Sequence, residues 1–340
     1  MQRISNLLTV AAAFGCLNFI TITAHAQGSL TPPPGVPAPV MKSLDQIEAR
    51  TPLISGAPGV SYANGLYTIT QPGGYYLTGN LTMTNKTGAS FITFLTNNVT
   101  LDLNGFTLFG TAGNMGTAID GSGFGYRIFN GHIVGGTTQT NGVFTKAGFY
   151  KGIETFSGNV NFGTDTIISD ITVRGVRDRG IQGSLNSVVE RCLVDTAGAE
   201  GMIVGSVRDS RAINTSADAI EAAAVMNSVG KCVGTGNGIS SYLAEPCNVQ
   251  NSTGEAVSGA GIFANNAINC RGKSVSYIGL TANTALNCSG ESTSGTGLSA
   301  YVANSCTGNR TGGTAIQANI GIACISLGGT FSITSKYNMP

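Results

Sequence analysis

Four cysteines, Cys270, Cys288, Cys306 and Cys324, follow one another at intervals of 18 residues, and Leu280, Leu298 and Ile316 keep the same interval beside them. Two markers of different chemistry holding one period over several cycles are the signature of a solenoid, in which each repeat is one coil stacked on its neighbour. A Gly-rich coil of that length has no room for two packed helices. It has room for short strands joined by tight turns of Gly, Ser, Thr and Asn. The period therefore predicts an all-β chain built as a parallel β-helix.

The cysteines are expected inside. In Ala267-Ile268-Asn269-Cys270, Ala285-Leu286-Asn287-Cys288 and Gly321-Ile322-Ala323-Cys324 an aliphatic residue stands two before the cysteine. Residues two apart in a strand share a face, so Ile268, Leu286 and Ile322 should point inward with their cysteines. Cys247, Cys270, Cys288, Cys306 and Cys324 are read as one structural inward ladder. With Cys16 set aside, seven cysteines remain, and an odd number leaves at least one free thiol. Coils about 4.8 Å apart project in-register side chains in parallel, which suits thiols packed as small apolar groups better than bridges. No histidine and no C-x-x-C spacing accompanies them, so no metal site is expected.

Taking the apolar residue after Gly, Ala or Met as marker, the coils read Ile153, Ile181, Ile203, Ile220, Ile239, Ile262, Leu280, Leu298 and Ile316. The steps are 28, 22, 17, 19, 23, 18, 18 and 18 residues. Long steps mean loops inserted on a coil, and such loops are where solenoids bind. A groove is thus expected beside the N-terminal half. A left-handed helix of hexapeptides would need an aliphatic residue every six positions. Ser274, Ser292 and Arg310 break that rule, and with the uneven steps they favour the right-handed form.

The ends differ in character. Residues 1–26 read as a signal peptide: Arg3, an apolar run, then Ala24-His25-Ala26 before Gln27. A secreted, periplasmic or cell-surface location follows, with no membrane span in the mature chain. Residues 27–41 form a Pro-rich linker. Residues 42–90 are read as an N-terminal cap, opened by a short helix within 42–50 with a Ser43/Gln46 capping box. Within it, Pro72-Gly73-Gly74 is expected to turn a hairpin over 66–81. The β-helix spans 91–325 and a C-terminal cap or tail spans 326–340. In Val99-Thr100-Leu101-Asp102-Leu103-Asn104, Val99, Leu101 and Leu103 should face inward and Thr100, Asp102 and Asn104 outward. Arg3 apart, basic and acidic residues balance at 17 each, which excludes the basic footprint of a nucleic-acid binder.

The V-T-L-D-L-N-G-F-T-L run from Val99, the S-L-D-Q-I-E-A-R-T-P-L opening from Ser43, Gly74-Tyr75-Tyr76-Leu77 and the Gly-Ile pairs at Gly180, Gly238 and Gly261 resemble secreted bacterial members of the pectin-lyase-like superfamily. That resemblance covers roughly residues 43–325 and implies a right-handed parallel β-helix. It does not imply one activity, because the group includes lyases, hydrolases, epimerases, tailspikes and structural proteins.

The only histidine after the signal peptide, His132, has no nucleophile elbow beside it and reads as an outer-face residue. Glycosidases need two converging carboxylates. Lyases of this fold need an Arg or Lys base, often with Ca2+ on an aspartate cluster. The nearest candidates are Asp165, Asp170, Arg174, Arg177 and Asp178, with Arg179 beside them. Their plainer reading is an outer face with local ion pairs. The aromatic cluster over 91–162 reads as inward-facing ring stacks rather than a sugar platform, since Trp is absent. The favoured function is a non-catalytic structural, surface or glycan-binding role without a cofactor, the partner being a polysaccharide or cell-surface glycan. The alternatives are a lyase or hydrolase of acidic polysaccharide, Ca2+ entering only there, and an adhesin-like protein-interaction module.

Overall fold

The computed structural model describes residues 50–84, 86–155, 165–242 and 245–339. Among them every regular element is a strand and none is a helix. The expected signal peptide and linker, and all of the capping helix but Arg50, lie outside the described residues.

The coil at Leu280 shows the plan. Strand Leu280–Leu286 supplies two segments, 280–282 and 284–286, and Ser289–Ser292 supplies a third. Each pairs in parallel with its equivalent one coil before and one coil after. The three walls are called faces A, B and C in chain order. Stacking begins at Thr51–Pro52, parallel to Gly73–Tyr76, and continues to Thr330–Tyr337, parallel to Thr314–Ile322. It therefore extends beyond 91–325 at both ends. The result is an all-β, solenoid-like fold with a long, mostly parallel sheet.

Among the described residues two antiparallel hairpins interrupt it. Val60–Ala63 pairs with Leu66–Ile69, and Thr138–Thr140 with Val143–Thr145. Both turn on Asn-Gly, with φ of 54° and 81° at Asn64-Gly65 and 50° and 84° at Asn141-Gly142. Two positive φ values in succession give the turn that matches strand twist. The first hairpin is thus one element earlier than Pro72-Gly73-Gly74 predicts; Gly73–Tyr76 is instead a coil strand paired with Val99–Asp102.

Face A lines the core with one column of partners: Ile92, Ile119, Ile153, Ile181, Met202, Ile220, Ile239, Ile262, Leu280, Leu298 and Ile316. All are fully buried, each stabilising by roughly 1.5–3 kcal/mol. Met202, not Ile203, holds the marker place, so the steps on either side are 21 and 18 residues. The early coils are filled by rings, Phe91 packing on Phe149 at 6.1 Å and Phe94 on Tyr126 at 5.1 Å between centroids, but Phe124 and Tyr150 of the same cluster are exposed, against the inward reading. His132 is exposed, also as expected.

The core thins toward the C-terminus. The inward column of face C reads Leu108, Ile133, Val173, Val194, Ala212, then Gly230, Gly254, Gly272, Gly290 and Gly308. A Cβ on Gly272 would lie 2.1 Å from the Gly279 carbonyl oxygen. Faces C and A therefore meet backbone to backbone, and 18 residues suffice to close a coil.

The corner between faces B and C falls at the same register position in eleven successive coils: Asn130, Asp170, Arg191, Asp209, Asn227, Asn251, Asn269, Asn287, Ser305, Ala323 and Asn338, at φ of 48° to 62°. Asn and Asp tolerate this left-handed region best among residues with a side chain, and here they also ladder. Asn227 Nδ2 donates to Asp209 Oδ1 (3.0 Å), and Asn269 Nδ2 to Asn251 Oδ1 (3.2 Å).

The corner corrects the inward reading of Ile268, Leu286 and Ile322. A left-handed residue between the aliphatic and the cysteine breaks the two-apart rule. The cysteines are buried, whereas Ile268 is exposed and Leu286 and Ile322 are half-exposed. On face B the buried residue is the one just before each aliphatic: Ala267, Ala285 and Gly321. The ladder is also composed differently. Its coil-to-coil order is Cys192, Ser210, Ser228, Ser252, Cys270, Cys288, Cys306, Cys324. Cys247 is buried elsewhere, just before the face B strand Asn248–Gln250. Asp102, expected outward, is buried against Arg50, the Asn104 amide (2.7 Å) and Asn130 Nδ2 (3.1 Å).

Candidate functional site

Alternation on face A decides what faces out. Ile119 and Ile153 point into the core, so Asp120 and Glu154 point away from it, and the two are register partners on adjacent coils. Gln182 is next in that outward column. Ser90, Thr117, Tyr150 and Arg177 join Asp120 and Glu154 around a cleft of about 430 Å³.

The cleft is densely charged. Burial raises the Asp120 carboxyl above the usual carboxylate range. A hydrogen bond from Ser90 (3.1 Å) opposes that, the Glu154 charge adds to it, and the Lys151 charge opposes it. Glu154 Oε1 is 2.5 Å from Lys151 Nζ, and its Oε2 accepts from Thr117 Oγ1 at 3.4 Å. Lys151 also donates to Gln182 Oε1 (2.9 Å). Arg179 donates to the same oxygen (3.2 Å) and to Glu200 Oε2 (2.9 Å).

Tyr150 stands at the rim, 44% exposed. Lys151 Nζ is 5.7 Å and Arg177 Cζ 5.8 Å from its ring centroid, within cation–π range. The neighbouring Asp178 charge raises its hydroxyl above the ordinary tyrosine value, with burial adding to it. Arg177 Nε is buried with no hydrogen-bond partner among the described residues. The cleft thus combines carboxylate acceptors, a guanidinium with spare donor capacity and an exposed ring.

The run at 165–179 does not converge; it passes along faces B and C and into the turn toward face A. Asp165 accepts from the Gly125 amide at 3.2 Å. Asp170 sits at the left-handed corner, φ 56°, and binds Arg191 through two 2.8 Å contacts. The Arg191 hydrogen bond holds the Asp170 carboxyl below its usual range. Arg174 is exposed on face C, register partner of Val134 and Asp195. Only Arg177, Asp178 and Arg179, at the turn from face C to face A, reach the cleft region. Asp120, Tyr150, Lys151 and Glu154 escaped the sequence reading. Their signal was available: a carboxylate directly follows the marker aliphatic in Ile119-Asp120 and Ile153-Glu154.

A larger trough, about 620 Å³, lies on face B between Ser206, Arg208, Met226, Asn248, Gln250 and Ile268. It holds amides and apolar groups but no carboxylate. Among the described residues no group of three or more His, Cys, Asp or Glu is placed to hold a metal ion. Searches of protein-family models, curated proteins and solved structures return no match for this chain.

Proposed function

We propose that this chain is a secreted, right-handed parallel β-helix of the pectin-lyase-like kind that binds a glycan in the cleft at Asp120, Glu154, Tyr150 and Arg177. The signal-like segment at 1–26 supports export to the periplasm, cell surface or medium, and the uneven early coils support the right-handed form. The observation that carries the binding role is the in-register pair Asp120–Glu154 beside an exposed tyrosine. Carboxylates accept hydrogen bonds from sugar hydroxyls, and an aromatic face packs against the apolar face of a sugar ring. Affinity electrophoresis through gels cast with neutral and acidic polysaccharides tests it. Wild type should be retarded by at least one polymer and Tyr150→Ala much less so. No retardation by any polymer, or equal retardation of both proteins, would remove the proposal.

One observation favours a hydrolytic second reading. Asp120 is biased toward its protonated form by burial, while its partner Glu154 contacts a lysine. Two carboxyl groups with unlike environments are what acid–base cleavage of a glycosidic bond requires. Release of reducing ends from the retained polymer, abolished in Asp120→Asn, would establish it. Retention without cleavage leaves binding as the whole function.

A further inference from the structure

Lys151, Glu154, Gln182 and Arg179 make an arrangement that sugar binding does not explain. Lys151 is 8% and Gln182 7% exposed, a cation and a carboxamide buried together between adjacent coils. Long charged side chains are rarely so buried without a specific role. The Lys151 nitrogen is 2.9 Å from Gln182 Oε1 and 2.5 Å from Glu154 Oε1. Arg179 Nη1 reaches the same Gln182 oxygen at 3.2 Å while Glu200 holds its Nε at 2.9 Å.

These are the parts of an acyl transfer: an amine, an acyl carbon, a carboxylate to move protons, and a cation on the carbonyl oxygen. We infer that Lys151 and Gln182 form an intramolecular isopeptide bond, with Glu154 as the proton-transfer group and Arg179 as the oxyanion donor. Glu154 takes a proton from the Lys151 ammonium. The neutral Nζ attacks Gln182 Cδ, and the oxyanion forms against Arg179. Glu154 returns its proton to Gln182 Nε2, the Cδ–Nε2 bond breaks, and ammonia departs. The second proton shed by the lysine nitrogen passes through Glu154 and leaves with it as ammonium. No oxidant or co-reactant is consumed. Fixed burial of amine and carboxamide in contact supplies the proximity that makes so slow an aminolysis feasible. The bond would join coils across a 31-residue separation, over the 28-residue step from Ile153 to Ile181.

Peptide mapping by mass spectrometry of the purified full chain tests this. The expected result is one peptide pair joining Lys151 to Gln182, lighter by one ammonia than the sum of its parts. The linked pair rather than the intact mass is the readout, since cyclisation of an amino-terminal glutamine loses the same ammonia. Glu154→Gln and Lys151→Arg should each give Gln182 in an unlinked peptide. Wild type with Lys151 and Gln182 in separate, unmodified peptides would overturn the inference. A link that persists in Glu154→Gln would overturn the role given to Glu154. Both readouts are independent of any glycan, so they are separable from failure of the binding proposal.

Discussion

Ile268 and Cys270 stand two residues apart in the chain and face opposite sides of the wall: Ile268 is 37% exposed and Cys270 3%. Asn269 between them, at φ 54°, rotates the chain by one side. The same left-handed step recurs in eleven successive coils, so it is a structural rule of this solenoid. Asn287→Gly should leave stability nearly unchanged, because glycine takes positive φ freely. Asn287→Val should cost about 1–2 kcal/mol, the penalty for forcing a side chain with a branched Cβ into that region. Urea unfolding of the two variants checks the contrast.

The glycine columns predict a sharper sensitivity. A Cβ on Gly290 would lie 2.2 Å from the Gly297 carbonyl oxygen, whereas one on Gly79 meets nothing within 4 Å. Gly290→Ala should lower stability by about 1–3 kcal/mol or more, since two backbones must part to admit the methyl group. Gly79→Ala should be neutral. Thermal melts of the pair measure the difference.

Serine takes the place of cysteine at three successive rungs of the ladder, Ser210, Ser228 and Ser252. Cys288 Sγ donates to the Ala267 and Leu286 carbonyl oxygens, each at 3.2 Å. Ser252 Oγ donates to the Gln250 carbonyl at 2.7 Å and accepts from the Ser228 amide at 3.1 Å. Cys288→Ser should therefore cost less than about 1.5 kcal/mol, its hydroxyl keeping a partner. Burial pushes the Cys192 and Cys247 thiols up to about 12. Neither should react with a thiol reagent in the native protein at a pH of about 8, and both should react once guanidinium unfolds it. Rapid native labelling of either would contradict their placement.

Two aspartates should respond to pH with opposite sign. Asp120, raised by burial, is favourable in its protonated form. Its contribution is full below the ordinary aspartate value of 3.8 and lost as pH rises through its folded value. Asp170, lowered by Arg191, contributes above 3.8, and that contribution is lost as pH falls through its folded value. Asp120→Asn should thus gain stability relative to wild type between mildly acidic and neutral pH, and Asp170→Asn should lose it. Chemical unfolding at the two pH values gives both signs.

The period carried the architecture because identical coils demand identical spacing. Leu280, Leu298 and Ile316 occupy the same buried place in successive turns. Burial of the cysteines was legible, but by a faulty route, since alternation was carried across a left-handed corner no local pattern announces. Ser305 and Ala323 occupy that conformation in place of asparagine, so residue type alone does not mark the corner. The site was harder to read for the same reason. The charged run at 165–179 looks continuous in the chain, yet positive φ at Asp170 and Gly175 bends it from face B across face C into the next turn. Asp120 and Glu154, 34 residues apart in sequence, are neighbours only because one coil rests on the next.

Calorimetric titration of the retained polysaccharide into wild type, Asp120→Asn and Arg208→Ala tests the assignment of the cleft most directly, because Arg208 lines the trough on face B instead. Affinity should fall by at least about tenfold, or 1.4 kcal/mol, in Asp120→Asn and stay at the wild-type value in Arg208→Ala. Loss of binding in Arg208→Ala with Asp120→Asn unaffected would contradict the account and move the site to the other wall.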